Sequence, residues 1–193
     1  MIVALAGRRI DATDTETPRF PSALADSVRT KLTTCLNSVN AKHLVGSGAC
    51  GADLLAMLSA EELRITKTMI LPFNAQTFRS TSVTDRPGNW GLIYDKIIEQ
   101  LKDSGQLIEL NLDENDPEAY IKTNFYMLDH AQKIAEQIGT NHEQNNNAST
   151  NLMAVIVWEG KPKNTDDTTY HFMQEAQRRN FAIKEILTIP QTL

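Results

Sequence analysis

The chain lacks most of the features that would assign it to a specialised class. Two cysteines, Cys35 and Cys50, occur in 193 residues. They fit no metal spacing and no disulfide framework, a usage that suits a reducing interior such as the cytoplasm. A basic excess is also missing: 19 Lys and Arg stand against 24 Asp and Glu, a formal charge of -5, with no basic run. Neutralising a nucleic-acid backbone needs the opposite balance, so no nucleic-acid partner is expected. No apolar run approaches the roughly 20 residues that span a bilayer, and no membrane is expected either. The opening "MIVALA" has no basic leader and reads as a first strand rather than a signal peptide. The four histidines, His43, His130, His142 and His171, form no ligand cluster, so neither a metal nor a cofactor is expected.

What is present is ordinary globular composition, 41% hydrophobic and 22% charged, at a length that suits one domain over 1–193. Strand-like and helix-like segments alternate. Strands are expected at 2–6, 43–46, 67–71, 106–112, 152–158 and 182–188. Helices are expected at 22–36 with Ser22 as N-cap, then at 52–63, 90–101, 117–138 and 168–179. The stretch 73–88 reads as irregular. "LMAVIVW" (152–158) is continuously apolar, as in a strand covered on both faces. Such alternation predicts an α/β layer fold with a mainly parallel sheet. The asparagine-rich stretch 141–151 reads as a mobile surface loop.

One stretch raises a chemical question. "GSGACGAD" (46–53) spells G-x-G-x-x-G through Gly46, Gly48 and Gly51, between an expected strand and helix. Backbone N–H groups of such a turn, with Ser47 and Ala49 between the glycines, converge on an anion at the positive end of the helix dipole. A dinucleotide loop would also need an acid at the end of the next strand. That strand ends "LPFN" (71–74), so an NAD-type reading fails. The remaining alternatives are a phosphate cradle and a tight turn with no ligand. A bulky residue at Gly48 is expected to abolish binding and leave the fold intact. Asp53 reads either as a helix-start acid or as a hydrogen-bond partner for a ligand hydroxyl or the loop. Cys50 reads as a small buried residue.

Arg8 and Arg9 follow the first strand. Successive residues in an extended loop point apart, so at most one faces a pocket. Arg9 is the candidate, against a solvated or salt-bridged role, with Asp11 placed to orient it. In "TDRPGNW" (84–90), Asp85 reads as a cap for the next helix or a ribose ligand, Arg86 as a phosphate clamp, and Trp90 as a core anchor. Tyr120 and Asn124 share one helix face. Glu159 follows the longest buried strand, where it is the best-placed carboxylate for acid/base work, with Asp85 a second candidate. No spacing supplies Glu159 with a partner.

Several of these stretches together resemble the SLOG superfamily, which includes cytokinin-activating phosphoribohydrolases and nucleotide-ligand sensor domains. They are "AGRRID" (6–11), "RFP" (19–21), "GSGACGADLLA" (46–56), "LPF" (71–73), "SVTDRPGNWGLIYD" (82–95), "YIKTNFYML" (120–128) and "VIVWEG" (155–160). The resemblance implies a Rossmann-like three-layer sandwich that binds a nucleotide derivative at the carboxyl ends of its strands. It implies Gly7 and Arg9 in the first strand-end loop, and backbone N–H groups from Gly48, Ala49 and Gly51. Asp85 and Arg86 would lie beyond the third strand, and Asn124 would face the pocket. A homodimer is also implied. Two departures stand out: Arg8 replaces a histidine, and the enzymatic P-G-G-x-G-T-x-x-E motif is missing. At the corresponding place stands "NTDDTTY" (164–170), where Asp166 and Asp167 would repel a phosphate but serve well as helix caps.

The expected partner is therefore a phosphate-bearing nucleotide derivative, ADP-ribose-like or cyclic, bound by a sensor or sequestering protein. An N-glycosidic hydrolase or transferase using Glu159 or Asp85 is the enzymatic alternative. An oligomeric scaffold with a degenerate site is the third.

Overall fold

Strands whose side chains are apolar on both faces need a helix layer on each side, and the chain supplies both. The computed structural model describes residues 1–140 and 152–190. Six strands form one sheet: β1 (Ile2–Gly7), β2 (His43–Gly46), β3 (Thr66–Leu71), β4 (Leu107–Glu109), β5 (Leu152–Trp158) and β6 (Ala182–Leu187). Their spatial order is β4-β3-β2-β1-β5-β6, and every pairing is parallel. Six helices accompany them: α1 (Ala25–Ser38), α2 (Ala52–Glu62), α3 (Ala75–Ser82), α4 (Trp90–Asp103), α5 (Ala119–Thr140) and α6 (Thr168–Arg178). The result is a Rossmann-like three-layer sandwich.

The period-two rule for strands sorts the core into two layers. Val3 and Leu5 of β1 pack with Leu32 and Leu36 of α1, Leu54 and Met57 of α2, and Tyr94 and Ile97 of α4. Ile2, Ala4 and Ala6 pack on the other face with Met127, Leu128 and Ala131 of α5 and Phe172 and Ala176 of α6. β5 divides in the same way, with Val155 and Val157 in the first layer and Ala154, Ile156 and Trp158 in the second. None of the helices among the described residues is long and apolar enough to cross a membrane.

Three local expectations need correction. The irregular stretch 73–88 contains α3, opened by Asn74, whose side chain accepts the Thr77 N–H at 2.9 Å. Its buried residues are Ala75, Phe78 and Ser82, too narrow a stripe in eight mostly polar residues to show as a helical period. Ser22 does not cap α1 but starts a 3-10 turn over Ser22–Leu24 with Pro21 before it. Strand β4 has three residues rather than seven, and Asn111 adopts a left-handed φ of 51° just beyond it. The asparagine-rich segment 141–151 lies outside the described residues.

The topology also fixes where a ligand can enter. From β1 the chain runs to β2 on one side, while β5 and β6 fill the other. Strand order reverses between β1 and β5, where Gly7 pairs with Val157. In open parallel sheets the crevice lies outside the carboxyl ends of the strands at this point.

Candidate functional site

A cleft occupies that position, in two adjacent parts that share lining residues. The wider part encloses about 410 Å³ and is lined by Arg8, Arg9, Arg19, Arg86, Lys163 and Asp167 among others. A narrow part of about 90 Å³ lies beside it, lined by Ser47, Asp53, Ser82, Tyr120 and Asn124 among others. Gly7, Arg9, Thr168 and Thr169 line both. The wider part is of the size that small-molecule sites have, about 300–1,000 Å³.

Arg8 and Arg9 diverge, as residues of an extended segment do. The Arg8 guanidinium is buried between two acids, donating to Glu159 at 2.6 and 3.2 Å and to Asp167 through two bonds of 2.7 Å. Its third acceptor is the Lys161 carbonyl, at 3.1 Å. Burial alone would lower the Arg8 pKa, but the bonds to Asp167 and Glu159 win and raise it. Burial likewise opposes ionisation of Asp167, and its bonds from Arg8 and the Lys163 N–H hold its pKa below the usual value. Asp167 also caps α6, accepting the Thr169 and Tyr170 N–H groups at 3.0 and 3.1 Å. The expected capping role at 166–167 therefore falls to Asp167, while Asp166 is exposed. Arg19 completes the cluster by pairing with Glu159 Oε1, which also accepts from Arg8.

Glu159 thus has partners, 151 and 140 residues away in the chain. Both of its oxygens are engaged by guanidinium groups, and the residue is buried. Two guanidinium groups hold the carboxylate in one place, which suits an anchor.

Arg9 pairs with Asp85, which also lies 3.6 Å from Arg86 Nε. Among the described residues, neither buried Nε, of Arg9 or of Arg86, has a hydrogen-bond partner, Asp85 standing just too far from Arg86 Nε. Asp85 caps no helix: α4 starts after Asn89 and has no side-chain cap bond. Nor does Asp11 orient Arg9. Its carboxylate accepts the Arg19 and Phe20 backbone N–H groups, each at 2.9 Å, and so pins the loop that carries Arg19. Trp90 is buried with its indole N–H donated to the Pro87 carbonyl at 2.9 Å, a core anchor.

Three amides of the glycine loop donate within the chain, and one of them, Ala49, is among the three expected to hold phosphate. Ala49 N–H donates to Asp53 at 3.2 Å, Cys50 N–H to the Ser82 carbonyl at 3.0 Å, and Ala52 N–H to the Arg8 carbonyl at 3.1 Å. Gly51 has a φ of +104° and forms an isolated antiparallel bridge with Arg9. A Cβ there would sit 2.8 Å from the Arg8 carbonyl oxygen, so only glycine fits. At Gly48 a Cβ would lie 2.7 Å from Met69 Sδ and 3.1 Å from the Tyr94 ring. A bulky residue at Gly48 would therefore disturb the core, contrary to the expectation of an intact fold. Gly46, Gly48 and Gly51 line neither part of the cleft, whereas Ser47, Ala49 and Asp53 reach the narrow part. Cys50 is fully buried, and burial raises its thiol pKa despite Arg9 nearby.

Sequence reasoning overlooked Arg19, Lys163 and Ser82. The hydroxyls of Ser82 and Tyr120 bond each other at 2.9 Å, and Asn124 donates its amide to the Thr168 carbonyl at 3.0 Å. Nothing in sequence separation marks these pairs, though the shared helix face of Tyr120 and Asn124 was legible. Among the described residues no group of three or more His, Cys, Asp or Glu could hold a metal ion.

Fold and cleft together define a class: an all-parallel α/β protein with a polar, arginine-lined crevice at the switch point of its sheet. No protein-family model and no curated protein matches the chain.

Proposed function

We propose that this protein binds a phosphate-bearing nucleotide derivative, ADP-ribose-like or cyclic, in the switch-point cleft, and acts as a sensor or sequestering protein. The observation that carries the reading is the pair of orphaned guanidinium nitrogens. Arg9 and Arg86 both line the wide cleft, and each has a buried Nε with no hydrogen-bond partner among the described residues. A phosphate oxygen would satisfy both, since guanidinium groups bind phosphate with charge-assisted, geometrically specific bonds. The phosphate is assigned to these arginines rather than to the glycine loop, because three loop amides already donate within the chain. The resemblance to SLOG proteins over several separated motifs supports the same ligand class.

Binding is favoured over N-glycosidic cleavage by the state of the two expected carboxylates. Glu159 is held by Arg8 and Arg19, and Asp85 by Arg9. Both carboxylates are thus tied to arginine side chains, Glu159 through both oxygens and Asp85 through one. The test is a thermal-shift screen against nucleotides, ADP-ribose, its cyclic isomers and NAD, with mass spectrometry of each mixture. A binder should stabilise the protein by about 2.7 kcal/mol at a hundredfold excess over Kd. Arg9→Ala and Arg86→Ala should each erase the shift. A ligand recovered cleaved would replace this reading with an enzymatic one, and no shift across the panel would remove it.

A further inference from the structure

We propose that the narrow cavity beside Asp53 is a sugar subsite, in which Asp53, Asn124 and the Ser82–Tyr120 hydroxyl pair bind the vicinal hydroxyls of a pentose whose phosphate rests on Arg9. This inference depends on the phosphate reading above and gives the ligand its orientation.

Asp53 is the unusual group. It is 7% exposed and lines the narrow cavity, yet its one hydrogen bond among the described residues is from the Ala49 N–H at 3.2 Å. A carboxylate offers about four lone-pair sites, and buried acids are normally paired or fully hydrogen-bonded. The fold fills such sites elsewhere: buried Asp167 accepts from Arg8, the Lys163 N–H and two N–H groups of α6. Asp53 takes part in no salt bridge among the described residues. Its unused capacity faces the cavity.

The remaining lining suits a sugar. Hydroxyl groups come from Ser47, Ser82, Tyr120, Thr168 and Thr169, and the Ser82–Tyr120 pair keeps acceptor capacity beyond its mutual bond. The hydrogen bond to Thr168 fixes the Asn124 amide at the same wall. Ala6 and Met127 add an apolar surface. A pentose ring has this division, with C–H groups on its faces and hydroxyls at its edge. The cavity's volume of about 90 Å³ is several times the roughly 10–15 Å³ that one water needs. A sugar ring therefore fits, while the rest of a nucleotide belongs in the wide part.

Arg9 lines both parts, so a sugar in the narrow part and its phosphate in the wide part would meet the same residue. The Asp53 acidity fits this arrangement. Burial pushes its pKa up to about 7, against the Ala49 N–H and the Arg9 charge. Near neutral pH the carboxyl can donate as well as accept, and when protonated it does not repel a neighbouring phosphate.

The experiment is an NMR-detected titration of isotope-labelled protein with ribose 5-phosphate, 2-deoxyribose 5-phosphate and inorganic phosphate. Ribose 5-phosphate should bind about tenfold or more tightly than the other two, and it alone should shift the Ala49 amide and the Asn124 side-chain amide. Asp53→Ala should bring ribose 5-phosphate and 2-deoxyribose 5-phosphate to the same affinity, and a retained tenfold difference would overturn the subsite. Tyr120→Phe, at a residue exposed enough to leave the fold intact, should reduce the advantage about three- to tenfold. Equal affinity for all three probes, with each weakened by Arg9→Ala, would overturn the sugar subsite and leave the phosphate reading standing. If no probe binds, or Arg9→Ala changes nothing, both readings fall together.

Discussion

Arg8 and Arg9 are neighbours in the chain and opposites in their surroundings. Arg8 is buried and saturated, with five hydrogen bonds to Glu159, Asp167 and the Lys161 carbonyl. Arg9 is about 30% exposed, pairs with Asp85, and keeps an orphaned Nε. The first joins the end of β1 to the end of β5 and the start of α6. The second is left to the cleft. A buried ion cluster with every site filled holds geometry, and a half-filled one beside a cavity is what a ligand can complete. The same contrast separates Asp167, fully paired, from Asp53, with a single bond.

The largest effect should come from breaking the saturated side. Arg8→Met leaves the buried Asp167 without its guanidinium partner and Glu159 with Arg19 alone, and should cost about 3–5 kcal/mol in denaturant unfolding. A loss under about 1 kcal/mol would mean the cluster does not anchor the fold.

Next comes the acidity of Asp53. Its folded pKa, about 7, lies above the unfolded value of 3.8. Between those values the folded state binds more protons, so stability falls as pH rises through this window and levels off above it. Asp53→Asn cannot ionise and loses this component. Comparing the two proteins by urea unfolding at pH 4 and pH 8 should show the variant gaining on the wild type by on the order of 3 kcal/mol. A constant difference would show that folding does not raise the Asp53 pKa.

Gly48→Val should destabilise by about 1–3 kcal/mol through collision with Met69 and Tyr94. A melting temperature equal to wild type would show that the Met69 side chain yields to the added atoms. The smallest change in stability belongs to Arg9→Ala. Its pair with Asp85 is about one-third exposed on both sides, and such pairs contribute about 1 kcal/mol or less. Its effect on phosphate binding should nonetheless be complete. Large destabilisation without loss of binding would exchange the roles of the two arginines.

How much of this was legible follows the distance over which each feature is set. β5 was evident from its seven-residue apolar run, and α5 from the stripe through Leu128 and Ala131. The side-by-side placement of Tyr120 and Asn124 followed from helical spacing. α3 was hidden because Ala75 and Phe78 are too few apolar marks to show a period. Glu159 was found without its partners because Arg8 and Arg19 come from the other end of the chain. Asp11 looked like a partner for Arg9 from proximity, whereas its carboxylate is used by the backbone of Arg19 and Phe20.

The sequence by itself determined the alternation of strands and helices, the two-sided burial of the sheet and the divergence of two adjacent arginines. Those properties depend on local backbone periodicity, which residue order carries directly. Only the tertiary structure decided which arginine is locked and which is available, that the Ala49, Cys50 and Ala52 amides of the glycine loop serve the fold, and that Asp53 lines a cavity with one bond. Each of these is set by groups brought together from distant parts of the chain, and burial, the strongest influence on a charged group, exists only after they meet.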